Sequence, residues 1–447
     1  MAEGRHRAPN RSARTGRSAS RTLANEQRLV ALGDAIDQHN GVVKADRGLI
    51  TVATRWVSEH RKILQRSGLA MVVLVAALAG GGYLYFQHVF NSITKFTAGS
   101  ELPTIDGQPF NVLSIGSDSR VGLTGAVAAQ TGATAGSAAG QRSDVIKIMH
   151  IDPGKGTIDV ISIPRDTLVQ LLPPAQALFQ TPFGKINSTF FSGPDLLVQT
   201  IQKTFGIPIN HVIVVGFAGV MNSAVALGGV FLNFPYPARD AYSGLNITHT
   251  GCQLVTGFQA LAVARSRHFE YYRNGRWMGD GSSDYGRIAR QDAFLRGMIE
   301  RGKSQYNPAN IISFLSIIPQ GISIDSKFTP NFLVGLAVKF HSLNSANFQT
   351  YMLPVISAGN LRYYGDSLVV NQPAAQELLV KIFGNELTLP TMPPPNKNLV
   401  PTMPPVIPTT TTSTTTTTVP VTTPGGGSIP TTTLPTGNYF NPVPCSP

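Results

Sequence analysis

Cysteine is nearly absent from this 447-residue chain; Cys252 and Cys445 are its only two, too few for a disulfide framework or a zinc site. Acidic residues are scarce as well, 24 against 36 Lys plus Arg, for a net charge of +12. The excess is uneven. Residues 1–66 hold thirteen Lys/Arg against six Asp/Glu, so the remaining 381 residues carry only +5. The basic segment lacks a helix-turn-helix pattern and lacks aromatics interleaved with its arginines, which argues against a nucleic-acid partner. No Asp, Glu, Lys or Arg occurs between Arg66 and Lys95. Lysine, finally, is missing from residues 264–291, although that stretch carries six arginines in 28 residues.

The uncharged gap contains 19 apolar residues, 68–86, which as a helix rise about 28 Å and match the hydrocarbon thickness of a bilayer. The run lies too far from the N-terminus for an ordinary signal peptide, and no clear small-residue cleavage site follows it. It reads as an uncleaved transmembrane helix. Arg61, Lys62 and Arg66 flank its start and only Lys95 follows nearby, which places the N-terminus in the cytoplasm and the rest outside the cell membrane. Tyr83, Tyr85 and Phe86 fit an outer aromatic belt. Residues 1–22 read as a disordered tail near anionic lipid, and 24–66 as juxtamembrane helices.

Beyond residue 110, strand patterns at 110–115, 145–151, 157–163, 212–215, 230–234 and 347–353 alternate with helix patterns at 195–205, 217–227, 257–265, 287–302, 308–317, 330–340 and 373–383. This predicts an α/β fold with a mixed central sheet covered by helices. The apolar run 212–235 reads as strand, helix and strand rather than a second span, because β-branched VIVV and the Gly228-Gly229 pair interrupt it. Residues 121–141 read as a flexible loop. From about residue 390 the composition turns to Pro and Thr, an extended stalk that buries no core and could thread a cell wall. The expected organisation is a cytoplasmic segment at 1–66, a transmembrane helix at 67–90, a linker at 91–109, a catalytic domain at 110–388 and a low-complexity tail at 389–447.

Three charged motifs stand at strand ends: Gly116-Ser-Asp-Ser-Arg120, Arg142-Ser-Asp144 and Pro164-Arg-Asp166. Ligands of α/β sheets gather at such ends. Hard carboxylate oxygens on Asp118 and Asp144 suit Mg²⁺ (or Mn²⁺), and planar guanidiniums suit bidentate contacts to phosphate. The arginine-only cluster at 264–291 therefore predicts half of a phosphate-binding site.

The order and spelling of these motifs, continued by Lys185-Ile-Asn187, Leu227-Gly-Gly-Val230, Gly257-Phe-Gln-Ala-Leu261, Arg265-Ser-Arg-His268 and Asp284-Tyr-Gly-Arg-Ile-Ala-Arg-Gln291, resemble the LytR-CpsA-Psr family over roughly residues 110–385. The resemblance implies a membrane-anchored phosphotransferase. It would move a glycopolymer from a polyprenyl-pyrophosphate carrier to peptidoglycan by forming a phosphodiester, with Mg²⁺ at the pyrophosphate and the prenyl tail in an apolar pocket. It implies Asp118 and Asp144 as metal-linked acids, one of them a base for the acceptor hydroxyl, with Arg165 catalytic beside them. Arg142, Arg165, Arg265, Arg267 and Arg287 would clamp the pyrophosphate, with Gln291 nearby. Arg120, Asp166, Asp284 and Arg290 match motifs without a defined role.

The segment 212–234 is the expected wall of the prenyl pocket or, alternatively, ordinary core. The insertion 268–283 brings Arg273, Arg276 and Trp277, which are expected to meet sugar or solvent. His268 admits a general-base role or a structural hydrogen bond behind the arginines. Cys252 and Cys445 both face an oxidising exterior, as a disulfide tying the tail to the domain or as two free thiols. A pyrophosphatase using water as acceptor, and a non-catalytic membrane regulator, are the competing functions. The polymer itself stays open among arabinogalactan, a teichoic-type polymer and capsule.

Overall fold

The computed structural model describes residues 27–32, 34–35, 60–105, 107–131, 142–305, 321–340, 343, 345–361, 364–384 and 441–446. The basic tail at 1–22, the helix expected at 308–317 and the Pro/Thr stalk lie outside these residues. The chain forms two units, Met1–Leu84 and Tyr85–Pro447. The helix Arg61–Asn91 begins in the first, and its stretch Gln65–Asn91 is long and apolar enough to cross a membrane. Gly80, Gly81 and Gly82 sit inside it, a costly run for a helix in water but a common one in a bilayer. Phe86, within the second unit, is buried with Val89 against Leu333.

A seven-stranded mixed sheet organises the second unit, in the order Thr94–Phe96, Ile322–Asp325, His211–Val215, Phe110–Ser117, Ser143–Asp152, Thr157–Ile163, Phe348–Met352. Phe110–Ser117 lies at its middle, parallel to His211–Val215 and antiparallel to Ser143–Asp152. Strand alternation gives the sheet two unlike faces. Leu113, Ile115, Ile146, Ile148, Ile161 and Ile163 turn into the main core, packed on helices Pro194–Phe205 and Gln372–Phe383. Each such side chain contributes about 1.5–3 kcal/mol through burial. The intervening residues Ser114, Gly116, Val145, Lys147 and Met149 line a cleft on the other face.

All six expected strands form, but Val230–Phe234 does not join the central sheet. It pairs with Gly251–Val255 and with Val443–Pro444 in a separate three-stranded sheet. The central sheet instead takes the short strands Thr94–Phe96 and Ile322–Asp325, whose sequences TKF and ISID carry no readable alternation. Within the stretch read as a flexible loop, Gly125–Thr131 is a short helix.

The presumed linker at 91–109 also holds structure. Glu101 there has a fully buried carboxylate, 3.7 Å from Lys327 Nζ. Burial, reinforced by Asp325 and opposed by Lys327, raises its pKa to about 7. The unfolded chain releases this proton near 4.5 and the folded chain near 7, so the folded state holds more protons in between. Stability is therefore expected to fall as pH rises through that window, by up to ~3 kcal/mol. Chemical denaturation of Glu101→Gln at pH 5 and pH 8 should show this component lost; an unchanged pH slope would refute it.

Candidate functional site

The charged motifs meet because the sheet brings their strand ends to one edge. Ser117 lies opposite Ser143, Ile146 opposite Ile163, and Gly116 opposite Val215. Gly116 is required at this crowded point, since a Cβ there would lie 2.6 Å from Val145 Cβ. Just beyond, the Asp118 N–H donates to the Arg142 carbonyl (3.4 Å) and the Arg142 N–H to Asp118 Oδ1 (3.2 Å). The Lys185-Ile-Asn187 motif supports the next segment: Lys185 pairs with Asp166 at 2.9 Å, and the Asn187 N–H donates to the Arg165 carbonyl.

The arginine cluster is delivered by helix Ser283–Ser304 and by the loop following helix Gly257–Arg265. Gly286 lets the first turn of the long helix close on Asp280 and Ser282; a Cβ there would stand 1.7 Å from Ser282 Oγ. Arg290 is fully buried, with Nη1 donating to Asp280 (2.7 Å) and Nη2 to the Ser266 carbonyl (2.8 Å). Gln291 Nε2 donates to the Ala264 carbonyl at 2.9 Å.

The same loop is fastened by Asp240, which sequence reading did not single out. Its Oδ2 accepts from Ser266 Oγ (2.7 Å) and from the backbone N–H groups of Arg267 and His268 (both 3.0 Å). Burial opposes ionisation of Asp240, but hydrogen bonds from Ser266, His268, Ser243 and Tyr242 outweigh it and hold the carboxyl below the usual range. A lone aspartate in an ARD strand carries no motif that would have announced this role.

Asp144 is the hub. Its Oδ1 lies 2.6 Å from Arg165 Nη1 and 3.4 Å from Arg267 Nη2, and its Oδ2 lies 3.9 Å from Arg287 Nη1. Burial disfavours its charge, yet Arg287, Arg165 and Arg267 together hold its pKa below the ordinary carboxylate value. Asp284 is a second anchor, 2.8 Å from Arg287 Nη2 and 3.3 Å from Arg267 Nε. Burial lowers Arg287 to about 10. Burial, then the like charge of Arg120, lowers Arg265, whose guanidinium sits over the Phe217 ring at 4.7 Å. Arg265 Nη1, Arg287 Nε and Gln291 Oε1 are buried without a hydrogen-bond partner among the described residues. The cluster therefore retains polar atoms that a bound anion could engage.

These groups surround a cleft of about 640 Å³. Asp118, Arg142, Asp144, Arg165, Arg265, Arg267, Arg287 and Gln291 all line it, as do Arg120 and His268. Its apolar part is walled by Met149, Ile213, Val215, Phe217, Val220 and Met298, four of them from the segment 212–234. The rest of that segment, Val230, Leu232 and Phe234, is core, so both expectations for it apply to different residues. Lys147 is an unexpected feature of the cleft floor, a buried ammonium paired with Asp292 and donating to Ser162 at 2.7 Å.

Four motif residues or insertions fall outside the lining. Arg290 is a second-layer support, and Asp166 and Asp284 brace arginines from behind. Arg273, Arg276 and Trp277 sit on the hairpin Glu270–Arg273/Arg276–Gly279, where Trp277 stacks near Tyr272 and under Arg239. His268 lies against the exposed Tyr242 ring, 4.3 Å between centroids.

Replacing Asp240 by Asn puts an amide donor among several converging donors. This should cost about 1–3 kcal/mol of unfolding free energy at pH 7. Because the native pKa is depressed, the wild-type advantage should shrink as pH falls below the carboxylate range. Equal thermal midpoints for both proteins at pH 7 would sink this assignment.

Comparison with known proteins identifies the family and the fold. LcpB of Corynebacterium glutamicum, a probable cell wall biosynthesis protein, is 31% identical over 233 residues, spanning 50% of this chain and 51% of that protein. The polyisoprenyl-teichoic acid–peptidoglycan teichoic acid transferase TagU of Bacillus mycoides is 26% identical over 248 residues, 52% of this chain and 69% of that one. A LytR-Csp2A-Psr enzyme from Actinomyces oris has the same fold, with a TM-score of 0.51 at 22% identity over 65% of this chain and 95% of that structure. The LytR_cpsA_psr family model matches residues 86–381, most of the chain, and this protein belongs to the LytR-CpsA-Psr family.

Proposed function

We propose that this protein is a membrane-anchored phosphotransferase that joins a cell-wall glycopolymer, carried on a polyprenyl pyrophosphate, to peptidoglycan. The observation that carries this reading is the single cleft with an arginine-lined mouth and an apolar wall. A lipid-linked pyrophosphate needs both at once. The family membership and the teichoic acid transferase activity named for a relative support the same reading.

The chemistry asked of the protein is small. An acceptor hydroxyl oxygen attacks the glycan-bearing phosphorus, the bridging P–O bond breaks, and polyprenyl phosphate leaves. Arg165, Arg267 and Arg287, now converging on Asp144, would turn toward the phosphate oxygens and neutralise the charge that develops there. Arg265 and Gln291 offer unpartnered polar atoms to the same group. Arg142, beside Asp118, closes the mouth. Asp144 is committed to three arginines and held ionised, which suits charge organisation better than proton transfer. Asp118 accepts its described hydrogen bond on Oδ1 only, and takes the hydroxyl proton in this scheme.

The donor set fits a divalent cation shared with substrate. Asp118 and Asp144 both line the cleft and offer hard carboxylate oxygens. Mg²⁺ (or Mn²⁺) commonly binds one or two such carboxylates and completes its shell with substrate phosphate and water. When bound there it would supply charge neutralisation at the pyrophosphate.

Orientation follows the flanking charge: Arg61, Lys62 and Arg66 keep the N-terminus in the cytoplasm, so the catalytic unit works outside, beside its lipid and wall partners. Purified protein given Mg²⁺, a polyprenyl-pyrophosphoryl glycan and peptidoglycan should release polyprenyl phosphate and leave phosphodiester-linked glycan on the wall. Asp118→Ala and Arg165→Ala should each lower that transfer by roughly a hundredfold or more. Full transfer by either variant would overturn the assignment, and hydrolysis without wall linkage would mark a pyrophosphatase instead.

A further inference from the structure

The last helix of the domain ends at Phe383, yet the end of the chain returns to the domain. Residues 441–446 are fastened in three independent ways. Cys445 is disulfide-bonded to Cys252, with Cα atoms 6.0 Å apart and a sequence separation of 193. This settles the choice between a disulfide and two free thiols. Val443 and Pro444 pair antiparallel with Asn233 and Leu232, and the Cys445 N–H donates to the Phe231 carbonyl, so the peptide is the third strand of that small sheet. Asn441 reaches inward, and its Oδ1 accepts a 2.8 Å hydrogen bond from Arg290 Nη1.

Arg290 is the telling partner. It is fully buried and outside the cleft, and it bonds both Asp280 and the carbonyl of Ser266. Ser266 is the residue between Arg265 and Arg267, two of the cleft's arginines. A buried guanidinium needs every acceptor it can find, because desolvated donors left unpaired are costly. The side-chain amide oxygen of Asn441 fills one of those places from far along the chain.

We propose that the C-terminal peptide is a strap that completes the arginine clamp, and that Asn441 is a positioning residue acting through Arg290 on the Arg265–Arg267 loop. The disulfide keeps the strap seated by tying it directly to the small sheet it joins, which raises its effective concentration there far above that given by the long chain tether alone. The role deepens the pyrophosphate-binding reading given above and rests on it. The strap also puts both ends of the Pro/Thr segment on the domain, at Gly384 and Asn441. The segment between them lies outside the described residues.

The test uses the full chain in detergent, with inorganic pyrophosphate as the probe in calorimetric titration beside the transfer assay. Asn441→Ala should weaken pyrophosphate binding and raise KM for the lipid-linked donor by roughly tenfold, with a much smaller change in kcat. Asn441→Asp, which keeps an acceptor on Arg290, should restore most of the loss. The pair Cys252→Ser/Cys445→Ser should shift binding in the same direction as Asn441→Ala. Wild-type affinity in Asn441→Ala overturns the proposal. So does a loss that appears only in step with a fallen thermal midpoint, since that is stability and not positioning. If the wild type transfers no glycan but Asn441→Ala still weakens pyrophosphate binding, the strap stands and the ligation reading fails.

Discussion

Everything at the mouth of the cleft depends on the charge balance around Asp144. Three guanidiniums from three separate segments, Arg165, Arg267 and Arg287, converge on one carboxylate. Left alone they would repel one another in a partly desolvated site; burial already pulls the Arg287 pKa down to about 10. Asp144 and Asp284 make the gathering tolerable. A carboxylate ringed by arginines is also an arrangement whose guanidiniums are suited to bidentate contacts with a phosphate.

The fold serves this network by giving one sheet two functions. One face carries the isoleucines and Leu113 of the main core, and the alternate residues of the same strands floor the cleft. Stability and binding are thus separated by the pleat rather than by distance along the chain. Support then comes in layers. Asp240 holds the 266–268 loop through backbone donors, Arg290 holds it from beneath, and Asn441 holds Arg290. The cost of clustering so many like charges is thus spread over several supporting groups, from Asp240 at the cleft to Asn441 behind Arg290.

Much of this was legible in the sequence. Apolar strands such as Thr157–Ile163 and helices such as Gly257–Arg265 fall where the pattern puts them, because their signals are local. The eight expected site residues share one cleft because the motifs carry both the charge and the strand-end position. What escaped were parts whose meaning is relational. Asp240, Lys147 and Asp292 belong to no motif, and the strands Thr94–Phe96 and Ile322–Asp325 are too short to show a period. Val230–Phe234 has the composition of a central strand, yet its partners place it in another sheet.

The sequence by itself determined the long apolar helix, the α/β class, and the arginine and aspartate motifs, since each is written in hydrophobic period, charge-free length or the residue types of a short motif. Tertiary structure alone decided which arginines share Asp144, which polar groups stay unpartnered, and that Cys445 returns to Cys252. Those facts depend on distances between residues from 21 to 193 positions apart. Local propensity and periodicity carry no information about such separations; packing does.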